Sequence, residues 1–260
     1  MGKLSTAYRS PQRQLAWQQW TDGVILLVVL LVCWQLASWI LGASVLPSPW
    51  KTLTQFIIEV GYADFPENLI ATVNAFGIAL TISVIGGIVI GLLLGVYRLA
   101  GDVMDPILIA VYSVPKIVLY PVILLMFGLG ISAKIAFGVL HGIIPIIIFT
   151  MTAVRNIPPI YLRSARVYRL SPRQNALYVL IPAAVPEIVV GLRIGFSLTL
   201  LGTLLGEMFA SQVGIGHMLM RAIDRDNTPT IMALAVMLFV FATLISMSLL
   251  RWHRSLSHGA

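Results

Sequence analysis

Between Leu69 and Tyr97 the chain runs for 29 residues without a charged side chain. A helix on a soluble domain shows water a polar face every turn, whereas a bilayer crossing needs about 20 mostly apolar residues. Val24 to Leu41 (18 residues) and Ile231 to Leu250 (20 residues) are also free of charge. Ile135 to Val154 is uncharged and holds His141 and Pro145. Ile107 to Phe127 is apolar except for Lys116 and contains Pro115 and Pro121. Ala183 to Ala210 is apolar except for Glu187, Arg193 and Glu207. Charged residues make up only 10% of the chain, against about 25% in a soluble domain. An ordinary soluble globule and a disordered chain are both excluded. The runs are continuous and not alternating, so helices and not barrel strands are expected, and an open sheet would strand backbone groups in lipid. The reading is an all-α integral membrane protein with a 24–250 membrane domain. Its six transmembrane helices fall at about 24–41, 72–97, 107–127, 133–154, 186–210 and 231–250.

The net charge of +7 could suggest nucleic-acid binding, but its placement points elsewhere. Basic residues gather on one side of the spans. They are Lys3, Arg9 and Arg13 in the 1–23 tail, Arg98, the run Arg155, Arg163, Arg166, Arg169 and Arg173, and Arg251 and Arg254 in the 251–260 tail. On the opposite side Lys51, Arg221 and Arg225 stand among Glu59, Asp64, Glu67, Asp224 and Asp226. The positive-inside bias makes both termini cytoplasmic, with no nucleic acid as partner. The first run exceeds a signal-peptide core and follows a long polar leader, so it reads as a retained helix. Trp17, Trp20, Trp34 and Trp39 suit interfacial belts at its ends.

Catalytic signatures are missing. There is no G-x-x-x-x-G-K-[ST], no H-E-x-x-H and no G-x-S-x-G. The four histidines show no metal-ligand spacing. Cys33 is alone and reads as a small buried apolar residue. The chain is expected to bind no metal or cofactor itself and not to be an enzyme. An intramembrane enzyme would need a nucleophile, base or metal cluster, and a secondary carrier would want inverted repeats around buried ion ligands.

Gly87, Gly91 and Gly95 recur every fourth residue, as do the pairs Gly138 and Gly142, Gly191 and Gly195, and Gly202 and Gly206. That spacing puts small residues on one helix face and permits close helix approach. Pro115, Pro121 and Pro145 are expected to break or kink spans three and four. Lys116 and Glu207 are candidates for lining a pathway or gate, because ionisable groups inside spans are costly. For each, the bland role is also open: a snorkelling lysine and a paired structural acid. Arg193 should meet a carboxylate or carbonyls from another helix.

The stretch from 155 to 182 is the most informative. Pro158-Pro159 closes the span-four extension, and Ile160 to Leu170 reads as a short helix. Leu162, Ala165 and Tyr168 or Arg169 follow three- and four-residue spacing, and Arg163 and Arg166 share another face. Ser171-Pro172-Arg173-Gln174 has serine at N-cap, proline at N1 and glutamine at N3, a capping-box start. The second helix should run to Ile181 and be interrupted by Pro182. Such a basic double helix can rest on anionic lipid, or it can dock a cytoplasmic partner through Tyr161, Leu162, Tyr168 and Leu170.

These residues resemble the permease subunits of ABC importers, whose cytoplasmic loop follows E-A-A-x-x-x-G-x9-I-x-L-P. Ala165 matches the second alanine, Val179 the isoleucine, Ile181 the leucine and Pro182 the proline. Arg163 replaces the glutamate, Ser164 the first alanine and Arg169 the glycine. Leu46-Pro47-Ser48-Pro49, Val114-Pro115-Lys116, Phe127-Gly128-Leu129-Gly130, Gly206-Glu207-Met208 and Gly214-Ile215-Gly216 follow in the order of the sulfonate, taurine and nitrate branch. The resemblance implies a type I importer permease fold with a coupling-helix loop. It also implies a second permease copy (a homodimer is expected), cytoplasmic ATPase subunits that hold ATP and Mg, and a periplasmic or lipid-anchored solute-binding protein. The solute would be small, polar and anionic. The coupling set would be Ile160, Tyr161, Leu162, Arg163, Ala165, Arg166, Tyr168, Arg169, Leu170 and Ser171, with Pro182 as the loop anchor.

Overall fold

A computed structural model describes residues 11–257. Lys3, Arg9 and the rest of 1–10, with 258–260, lie outside the described residues. No strand occurs among the described residues. The helices are α1 (Pro11–Leu41), α2 (Pro49–Gly61), α3 (Phe65–Val96), α4 (Arg98–Ser113), α5 (Tyr120–Phe127) and α6 (Ile131–Arg155). They continue as α7 (Pro159–Val167), α8 (Pro172–Asn175), α9 (Ile181–Ala210), α10 (Ile215–Asp224) and α11 (Thr228–Ser257). Five helices are long and apolar enough to cross a membrane, or six if the bent pair α4 and α5 is one span.

α6 is the centre of the bundle, clasped between α3 and α9. The spaced glycines make this possible. A Cβ placed on Gly87, Gly91 or Gly95 of α3 would stand 2.7, 2.6 and 2.7 Å from side-chain atoms of Ile146, Thr150 and Val154 of α6. On the other flank, a Cβ on Gly191 would stand 2.6 Å from Phe149, and Gly195 presses on Ile146. Gly138 and Gly142 of α6 receive Thr203 and Thr199 of α9 in return. These threonine hydroxyls donate within their own helix, Thr199 to Gly195 O and Thr203 to Thr199 O (2.8 and 2.9 Å). Without a hydrophobic drive between helices in lipid, such contact-distance packing is what holds spans together. Phe137, Ile146 and Met151 of α6 are fully buried as a result.

The third span differs most from expectation. It is two helices meeting at 88°, joined through a 3-10 turn over Lys116–Leu119. Pro115 is the cause: it lacks an N–H and forces the preceding Val114 into extended backbone (φ −69°, ψ 133°). Pro121 does not kink anything, because it occupies the first turn of α5, where its missing N–H has no helical partner. Pro145 lies within an unbroken α6. The 11–23 part of the expected polar tail and its continuation to Leu41 form one helix. α1 stands at the edge, and residues 24–32 are exposed along it. Cys33 is therefore exposed and not buried. Trp34 Nε1 donates to Pro47 O (3.0 Å) and Ser38 Oγ to Leu46 O (2.8 Å), tying α1 to the turn before α2.

Gly91→Leu should lower the thermal unfolding midpoint of the purified protein by the equivalent of about 2–3 kcal/mol, the cost of overpacking a tight contact. Gly77, also on α3, has open space around it. Gly77→Leu should leave the midpoint unchanged or higher, since leucine is the better helix former. Equal losses for the two variants would refute the glycine contact as the packing determinant.

Candidate functional site

The coupling segment leaves α6 at Arg155, passes the buried Ile157 and enters α7 at Pro159, which sits at N1 as its fixed φ favours. α7 ends in a Schellman motif. Leu170 N–H donates to Ala165 O and Arg169 N–H to Arg166 O, both 3.0 Å, with Arg169 left-handed at φ 52°. This is the position where the importer loop has glycine, and the geometry supplies the reason, since a left-handed residue without a Cβ carries no strain. Next comes the capping box. Ser171 N–H donates to Gln174 Oε1 (2.9 Å) and Gln174 N–H to Ser171 Oγ (3.3 Å), as the sequence requires. Pro182 does not interrupt the second helix. α8 passes through a π-helical turn over Ala176–Leu180 directly into α9, and Pro182 occupies the first turn of α9. The wider turn accommodates the ring and its missing donor.

On the loop, Ile160, Tyr161, Val167 and Tyr168 are exposed, and Ala165 is buried. Leu162 and Leu170 are only partly exposed, so two of the four expected anchors turn inward and Val167 joins the exposed set. Arg163, Arg166 and Arg169 are exposed, and Arg166 Nε reaches Leu162 O at 3.4 Å. Arg155 does not belong to the free basic surface. Its guanidinium pairs with Asp102 of α4 (2.9 Å) and donates to Arg98 O (2.9 Å), lying across Gly101, where no side chain fits. The loop's root is thus tied to α4, the arm of the broken span.

Lys116 stands at that break. It is 8% exposed, donates to Tyr112 O (3.1 Å) and lies 5.0 Å from the centre of the Tyr112 ring. A cation on the terminal carbonyls of α4 satisfies groups the bend would leave open. Beyond it, Tyr120 packs edge-on to Phe137 (5.1 Å between centroids) and donates to Gly206 O (3.2 Å), fastening α5 to α6 and α9.

Glu207 is the hub of the opposite end of the bundle. It is 0% exposed. Its carboxylate accepts from Thr72 Oγ1 of α3 (2.8 Å to Oε2) and from Gly216 N–H of α10 (3.0 Å), and faces Lys134 of α6 at 3.8 Å. Thr72 Oγ1 in turn accepts from Ile215 N–H (2.8 Å), and Asn68 Oδ1 from Gly214 N–H (2.7 Å). The amides of Gly214, Ile215 and Gly216 at the start of α10 are therefore held, with a carboxylate at the positive end of the helix. Gly214, at φ 125°, has no room for a side chain beside that carboxylate. Lys134 also donates to Val213 O (2.8 Å). It lines a cavity of about 620 Å³ with Asn74, Ser211 and Gln212. On α10, burial lowers the His217 pKa, aided by Arg221 and Lys134 and opposed by Asp224.

Lys134, Thr72 and Asn68 are the functional-looking residues that span-by-span reading passes over. The available signal was a lysine in the first turn of span four, opposite a glutamate in span five. Arg193 meets a hydroxyl and not a carboxylate: Nε donates to Ser246 Oγ of α11 (2.9 Å). Among the described residues no three His, Cys, Asp or Glu side chains converge as a metal site.

The family described as binding-protein-dependent transport system inner membrane component matches residues 87–259. The riboflavin transport system permease protein of Chloroflexus aurantiacus is 31% identical over 240 residues, 89% of this chain and 90% of that protein. The taurine transport system permease protein of Escherichia coli is 26% identical over 95% of each chain. A nitrate import permease protein of Synechococcus elongatus is 28% identical over 87% of this chain and 84% of its own. Among solved structures, an inward-facing MetNI methionine ABC transporter chain superposes with a TM-score of 0.60 at 20% identity. It covers 73% of this chain and 94% of that one, a likeness of fold.

Two outcomes test this geometry. Glu207→Gln should destabilise by about 3 kcal/mol, because it strands a buried lysine, and adding Lys134→Met should restore part of that loss. Additive losses in the double variant, measured by thermal unfolding, would deny the pairing. Arg169→Gly should stabilise the α7 corner by about 1 kcal/mol, seen as slower hydrogen exchange at the Arg169 and Leu170 amides. Unchanged or faster exchange there would mean the left-handed turn carries no strain.

Proposed function

The chain belongs to the family of inner-membrane components of binding-protein-dependent transport systems, and on that premise we propose that it carries a small polar solute with an anionic group inward, driven by ATP hydrolysed on partner subunits. The solute class is supported by the taurine and nitrate transport named for two relatives. An external solute-binding protein, periplasmic or lipid-anchored, delivers the solute. Two cytoplasmic ATPase subunits hold ATP and Mg. A second copy of this chain completes the path as a homodimer. Both termini and α7 face the cytoplasm, as the arginines around α7 favour.

The observation that carries the coupling role is the way α7 is mounted. It hangs between the ends of α6 and α9, the two most intimately packed spans, and its corner is fixed by the Schellman motif and the capping box. Ile160, Tyr161, Val167 and Tyr168 remain exposed for a partner's cleft. Leu162, Ala165 and Leu170 shape the inner side of the corner, Arg163, Arg166 and Arg169 supply charge around it, and Ser171 and Pro182 anchor its return. A load on α7 reaches α6 and α9 directly, and reaches α4 through the Arg155–Asp102 pair. ATP moves the pore only because the closed ATPase pair favours one setting of α7 over the other. Lys116, at the broken span, lines the gate. Glu207 supports the gate from behind by holding α10 to α3, α6 and α9.

Reversing the charge of Arg163 and Arg166 together, or deleting residues 160–170, should abolish ATPase co-purification and uptake while membrane insertion is retained. A variant complex that still assembles and couples would sink the docking assignment. Lys116→Met should alter uptake or substrate-stimulated ATP hydrolysis; if both are unchanged, Lys116 does not line the gate.

A further inference from the structure

A second cavity, about 300 Å³, lies between α2, α10 and the start of α11. That is the lower end of the range for small-molecule sites. It lies apart from the α3–α6–α9 seam, and its lining shares no residue with the cavity beside Lys134. Its walls carry both signs of charge. Glu59 and Asp64 contribute carboxylates, and Arg221 and Arg225, one helical turn apart at the end of α10, contribute guanidinium groups.

Glu59 is only 6% exposed. Its Oε1 accepts from Gln55 Nε2 (2.9 Å) and Thr230 Oγ1 (2.6 Å), both neutral donors. No cation comes within 4.0 Å of it among the described residues, and neither Arg221 nor Arg225 makes an ion pair there. A buried carboxylate without a cation is unfavourable, and buried charges are ordinarily paired. Here the opposite charges line one cavity without an ion pair between them, which leaves both signs available to a molecule that is charged at both ends.

We propose that this cavity binds a small zwitterion, a short molecule with an ammonium group at one end and a carboxylate or sulfonate at the other. The ammonium sits against Glu59, with Asp64 adding to the negative wall. The anionic end is received by Arg221 and Arg225, whose forked donors match a planar or tetrahedral oxyanion. Gln55 and Thr230 position Glu59 by occupying one oxygen and leaving the other for the ligand. In the orientation proposed above, the cavity opens on the outer face, where a solute is met before the membrane path.

The test is equilibrium binding of radiolabelled β-alanine to the full-length chain in lipid nanodiscs, without ATP or partner subunits, so that its outcome is independent of the importer reading. Saturable binding should be displaced by taurine, and about ten-fold or more weakly by propionate or propylamine, each of which carries only one of the two charges. Glu59→Gln should reduce β-alanine to the affinity of propionate. Arg221→Gln with Arg225→Gln, at exposed positions that leave the buried carboxylate intact, should reduce it to that of propylamine. No saturable binding up to about 10 mM probe would overturn the site. So would equal displacement by the single-charge competitors, or binding unchanged in the arginine double variant.

Discussion

α6 approaches α3 and α9 so closely that only glycine fits at the crossing points, and the other elements take their positions from that contact. Gly87, Gly91 and Gly95 on one flank and Gly191 and Gly195 on the other bring backbones within reach of Ile146, Phe149, Thr150 and Val154. In lipid this dispersion contact is the main attractive term between helices, since apolar side chains gain little by leaving acyl chains for one another. A rigid three-helix centre follows, and both the Glu207 hub and the α7 corner are built on its ends. α1, α4 and α11 are attached more loosely and expose apolar faces along the bundle.

Besides buried mid-bundle groups such as Thr150, Thr199, Thr203 and His141, ion-paired groups stand at both ends of this bundle. At the α10 end, a carboxylate is tolerated without solvent because three elements supply its partners: Thr72 of α3, Lys134 of α6 and the Gly216 amide of α10. Removing any one partner leaves the others buried and unsatisfied, so the cluster behaves as a unit. At the α7 end, backbone caps and the Arg155–Asp102 pair satisfy the polar groups, and Ile160, Tyr161, Val167 and Tyr168 face outward. One end is thus internally locked, and the other presents a surface.

Much of the architecture was legible because lipid imposes a length and a composition that a linear chain displays openly. The six apolar runs, the capping box at Ser171–Gln174 and the glycine spacing each rest on contacts within one helix or on one helix's face. The resemblance to importer permeases agreed with the family match. The bend at Pro115 was legible in kind but not in degree, since proline forbids the helix without specifying 88°. The reading of Pro182 as a helix interruption failed because the π-turn before it absorbs the missing donor. The buried reading of Cys33 failed because burial depends on where α1 stands, which no local pattern encodes.

By itself the sequence determined the solvent, the number of apolar spans, the small-residue faces and the basic loop, because each depends on hydropathy, charge or spacing along the chain. Only the tertiary structure decided which polar and charged groups meet. Lys134 and Glu207, Arg155 and Asp102, and Asn68 and Gly214 are separated by many residues, and their pairing follows from the order in which helices pack around α6. The same holds for the unpaired set. Glu59 and the α10 arginines are ordinary charges in the sequence, and their shared cavity exists only because α2, α10 and α11 close around it without bringing the opposite charges into contact.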